Sequence, residues 1–141
     1  MPPSSPLDLL GADPEVWCRV FGLRAGGGVV GWSEAFVNLV SSVPGAPPVL
    51  NEIPAEPLGA LVIEMEPDGQ SRWPGLLEEA GERVSGGCIW AVLGHGQGGI
   101  YPWRALQDAA HAAGLHENCV LDFGPGMLAF RLHPGGVWCP G

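Results

Sequence analysis

Lysine is absent from this 141-residue chain, and six arginines stand against fifteen acids, giving a net charge of −9. That balance repels nucleic-acid phosphates and anionic membrane surfaces, so it argues against direct binding to either. Long apolar runs are also missing, and no window reaches the length that crosses a bilayer. The opening Met1-Pro-Pro-Ser-Ser-Pro-Leu-Asp-Leu-Leu has neither the basic region nor the apolar stretch of a signal peptide, which leads us to expect a cytoplasmic protein. Cys18, Cys88, Cys119 and Cys139 show no CxxC spacing, so buried thiols are expected, with no zinc site. Neither a metal nor a cofactor is expected from any complete motif.

What the chain does have is 46% apolar residues, six tryptophans, 23 glycines and 15 prolines. The apolar share supports one folded domain, and the glycines and prolines predict short elements with many loops. Residues 1–14 read as an N-terminal arm and 15–141 as a single domain with a Pro-rich internal loop at 44–57.

Within that domain, Val16 to Arg24 alternates enough for a first strand, ended by Gly26-Gly27-Gly28. Phe36, Val37, Leu39, Val40 and Val43 follow helical spacing; Ser33 or Gly31 can cap that helix and Pro44 stops it. Leu61 to Glu66 reads as a strand, then a turn at Pro67-Asp-Gly-Gln, then a helix from about Pro74 that Gly86-Gly87 terminates. The plan repeats: strand Ile89 to Leu93, a glycine loop, and a helix from about Pro102 with Trp103, Leu106, Ala110 and Ala113 on one face and Gly114 as its stop. Cys119 to Phe123 and Met127 to Leu132 make a closing hairpin around Gly124-Pro-Gly. This order predicts an α+β fold with a single mixed sheet, about three helices, two consecutive βα units and a C-terminal β-hairpin.

The glycine loop concentrates the most chemistry. Gly94, Gly96 and Gly99 match G-x-G-x-x-G between a strand and a helix, with Asp122 downstream as a ribose acid. Pro102 delays the helix past the third glycine and too little chain follows for the rest of a dinucleotide fold, so a flexible strand-to-helix corner is the simpler reading. His95 in that loop is a candidate acid/base, but it needs a partner. Cys88 begins the strand that His95 follows, roughly 20 Å away if the strand is regular, which rules out a dyad between them.

Glu64 and Glu66 share a strand face at spacing i, i+2 and are the other acid/base candidates; a solvated face opposite Leu61, Ile63 and Met65 is the plainer expectation. His111, His116 and His133 share no ligand spacing, and His111 is expected to face solvent beside Asp108. Trp90 and Trp103 are expected in the core, with Trp32, Trp73 and Trp138 as binding candidates.

These features lead first to a small acidic protein-interaction module, an adaptor, inhibitor or immunity-type partner of a basic protein. The alternative is a small enzyme or ligand-binding protein that uses the Gly94 to Gly99 loop, with His95 as acid/base and Glu64 or Glu66 beside it.

Overall fold

The computed structural model describes residues 18–23, 26–94, 102–124 and 126–134. The architecture is α+β, one mixed sheet with helices packed on both sides. In chain order the elements are β1 (Gly27–Val30), α1 (Glu34–Ser41), β2 (Val49–Leu50), β3 (Leu58–Glu64), a 3₁₀ helix (Pro67–Arg72), α2 (Trp73–Arg83), β4 (Val84–Gly94), α3 (Trp103–Ala112), β5 (Leu115–Gly124) and β6 (Met127–Pro134). The strands lie in the order β2-β1-β3-β4-β6-β5. The first four are parallel, whereas β6 runs antiparallel to both β4 and β5. The β3-α2 and β4-α3 units and the closing hairpin are where the pattern of apolar residues and turn residues predicts them. None of the described helices is long and apolar enough to cross a membrane.

Both faces of the sheet are covered, and this explains the central strands. Leu61, Ile63, Ile89, Ala91 and Leu93 join Leu77, Ala80, Leu106 and Ala110 in one core under α2 and α3. Val29, Val62, Trp90 and Val92 join Phe21, Phe36, Val40 and Phe123 in a second core under α1. A strand buried on both sides reads as an unbroken apolar run, so the half-solvated β3 expected from alternation is corrected: Ala60 through Met65 are all buried.

Several further expectations are corrected. Cys18 to Val20 is helical, not extended, and Phe21-Gly22 turns the chain through a Gly22 φ of +68° before β1 starts at Gly27. Alternation misled there because Cys18 and Phe21 are buried at a helical spacing of three, with Leu23 buried after the turn. Gly86-Gly87 lies inside β4 and does not end α2, which stops at Arg83 as the chain passes directly into strand. The segment 44–57 contains β2, whose two residues pair with Val29 and Val30 through backbone bonds and leave no side-chain periodicity to read. The turn at Pro67 is tighter than expected and winds as 3₁₀ helix. Of the cysteines, Cys18 is buried as expected, while Cys88 and Cys119 are half-buried.

Ser33 is the N-cap of α1, with extended φ/ψ and its Oγ accepting from the Phe36 amide at 3.2 Å. Ser33→Ala is expected to lower the unfolding free energy by about 0.5–2 kcal/mol, read as a fall in urea midpoint at unchanged slope.

Candidate functional site

In an open sheet, a crevice forms where the chain leaves one strand for one side and its neighbour for the other. Here that point lies between β1 and β3. From β1 the chain crosses over α1 to β2 on one side; from β3 it crosses over α2 to β4 on the other, and the two helices cover opposite faces. At the carboxyl ends of these strands is a cavity of about 330 Å³. The loop after β1 contributes Gly31 and Trp32, the loop after β2 Asn51 and Glu52, and the end of β3 Glu64 and Glu66. The 3₁₀ helix and α2 supply Arg72, Trp73 and Glu79.

Glu64 organises the crevice. It is the last residue of β3 and only 9% exposed. Its Oε1 accepts from the backbone amides of Trp32 at 2.8 Å and Ser33 at 2.9 Å, and its Oε2 accepts from the Ser33 hydroxyl. A helix N-terminus carries unpaired amides and about half a positive charge, so it attracts an anion. In this fold the chain supplies that anion itself. The glycine before these amides is required: a Cβ on Gly31 would stand 2.5 Å from Phe36 Cε2 and 3.1 Å from Val49 Cγ1. Glu64 is therefore a buried hydrogen-bonded carboxylate and not part of a solvated face, while Glu66 is exposed at the crevice.

The tryptophans divide differently from expectation. Trp32 is 52% exposed at the crevice. Trp73 is 1% exposed, a core residue whose Nε1–H donates to the Glu66 carbonyl at 3.0 Å. It shares a core with Leu77 and Ile63 and also lines the cavity. Trp103, expected in the core, is 45% exposed, with the Arg104 guanidinium 5.8 Å from its ring centroid. Trp90 is buried as expected. Trp138, His95, Gly96 and Gly99 lie outside the described residues. Gly94 ends β4, and because β4 runs parallel to β3 it reaches the same edge of the sheet as Glu64.

The three histidines that spacing separated are neighbours in space. The His111 and His116 rings are 5.5 Å apart and the His116 and His133 rings 6.0 Å, since His116 pairs with His133 across the hairpin and α3 leads directly into β5. His111 faces solvent as expected. Among the described residues no group of three His, Cys, Asp or Glu side chains is placed to hold a metal.

Sequence reasoning missed Glu52, Arg72 and Glu79. Glu52 follows a two-residue strand with no pattern of its own, and the other two sit on helix faces whose only local sign is polarity.

No protein-family model and no curated protein matches this chain. Solved structures do resemble it. The pyocyanin biosynthetic protein PhzM superposes with a TM-score of 0.53 at 11% identity, covering 82% of this chain and 52% of that one. TnmH gives 0.51 at 13%, and LaPhzM 0.50 at 15%; each match covers 92% of this chain and 47% of the other. The likeness is one of fold. This chain spans about half the length of those proteins.

Proposed function

We propose that this chain binds a small organic molecule in the crevice between β1 and β3. The observation that carries this reading is the cavity of about 330 Å³ at the switch point, where open α/β-type sheets place ligands and where the volume falls in the range of small-molecule sites. An exposed indole at its edge, a buried one in its wall and polar groups from four elements converge there. Fold likeness to a protein of pyocyanin biosynthesis is in keeping with small-molecule chemistry. The site is thus shifted from the Gly94 to Gly99 loop to the corners after β1, β2 and β3, with Gly94 on the same sheet edge. Trp32, Glu52, Glu66 and Trp73 are the residues proposed to line the bound ligand.

A thermal-shift screen of the full chain against nucleotides, amines, organic acids and aromatic metabolites tests this, because a ligand that binds only the folded state raises the melting temperature by mass action. At least one class is expected to do so. Trp32→Ala should weaken that ligand at least fivefold while changing the stability of the unliganded chain by no more than about 0.5 kcal/mol. A screen without hits, or hits indifferent to Trp32→Ala, overturns the reading.

A second reading, an acidic interaction module for a basic protein, is favoured by a separate observation. Trp103 and Val120 are large apolar side chains 45% and 48% exposed on a chain of net charge −9, and Val120 lies on β5, an edge strand. Purification from its host with a stoichiometric basic partner, lost on Trp103→Ala, would establish it.

A further inference from the structure

We propose that the crevice selects organic cations and refuses anions, and that Glu64 is the residue that sets this selectivity. The inference rests on the ligand-site reading above and adds the charge class of the ligand. Two observations point the same way.

The first is the occupied helix terminus. The Trp32 and Ser33 amides at the entry to α1 are donors of the kind that receive a phosphate or carboxylate. They already have a partner, since Glu64 takes both the Trp32 and Ser33 amides and the Ser33 hydroxyl. An anionic ligand entering here meets the Glu64 carboxylate where the Trp32 and Ser33 amides would otherwise donate to it. The second is the lining. Among the described residues Glu52, Glu64, Glu66 and Glu79 face Arg72 as the single cation, and Arg72 is itself exposed. Such a wall concentrates positive ligands and repels negative ones. Trp32 adds an aromatic face, which attracts an ammonium group once water is displaced. The ligand class that fits is a protonated amine or quaternary ammonium with an apolar body.

The test compares three probes of similar size and opposite or no charge, benzyltrimethylammonium, benzyl alcohol and benzenesulfonate, on the full chain at low ionic strength. Wild type is expected to bind the ammonium at least tenfold more tightly than the sulfonate, followed by tryptophan fluorescence. In Glu64→Ala the preference should shrink at least tenfold, and inorganic phosphate should gain measurable affinity for the vacated amides. Glu64→Gln keeps the side-chain shape and removes the charge, and it turns the acceptor of the Ser33 hydroxyl into a donor. It should move the preference in the same direction by a smaller factor, and it decides the matter should the alanine variant fail to fold. Wild type binding the sulfonate as well as the ammonium, or an unchanged preference in a folded Glu64 variant, overturns the selectivity. Binding of none of the three probes to wild type overturns instead the ligand site on which it rests.

Discussion

Replacement of Trp73 by alanine is expected to cost about 3–5 kcal/mol of unfolding free energy, which takes much of the margin of an ordinary domain. Trp73 is 1% exposed and packs in the core that α2 and α3 share with the sheet. Alanine leaves a void beside Leu77 and Ile63 and also strips the Glu66 carbonyl of its indole donor. Trp73→Phe separates the two contributions. It keeps an aromatic ring in the core but loses the hydrogen bond and part of the indole's volume, for about 1–3 kcal/mol. Guanidinium unfolding of the three proteins measures both steps. Because Trp73 also ties the 3₁₀ helix to the cavity wall, the phenylalanine variant should bind crevice ligands more weakly even though its core is nearly filled. Equal stability of wild type and Trp73→Ala would mean that the indole does not pack as described.

Phe21→Ala is the second large effect, again about 3–5 kcal/mol. Phe21 is fully buried and meets two rings edge-on, Trp90 at 4.9 Å and Phe123 at 5.0 Å, while Phe123 stacks on Phe36 at 5.4 Å. Each such aromatic pair contributes about 0.5–1.5 kcal/mol beyond the area it buries. Phe21 thereby ties the turn before β1 directly to β4 and β5, and through Phe123 to α1. Chain reversal at Gly22 permits it, and the fit is close: a Cβ on Gly27 would stand 2.7 Å from Leu23 Cα. Besides the fall in urea midpoint, Trp90 should become more solvent-accessible to acrylamide quenching in the native baseline. Loss of stability below about 1 kcal/mol would show that residues 18–23 contribute little to the second core.

Elements with local punctuation were legible in the amino-acid sequence. Ser33 before an apolar period, Pro74 within the first turn of α2 and Gly114 with its φ of +77° after α3 each mark a boundary by backbone chemistry alone. What escaped depended on distant partners. Glu64 reads as a polar residue at a strand end, and only the parallel pairing of β1 with β3 brings it to amides 31 and 32 positions earlier. Trp73 and Trp103 both begin helices and look alike in sequence. One has a carbonyl to receive its N–H and a core to enter, and the other remains outside beside a guanidinium. The histidine row has the same origin, since hairpin register and not helical spacing aligns His116 with His133.

The order of the last two strands has a kinetic consequence. β5 is made before β6, yet β6 occupies the place beside β4, so β5 reaches the sheet only through its hairpin partner. During synthesis, β4 keeps an open edge until residues 127–134 have emerged, and the preceding strand has nothing to zip onto. This strand order favours a hairpin that forms as a local contact and docks as one piece, and its place in the sheet puts Phe123 and Phe130 in the two opposite cores.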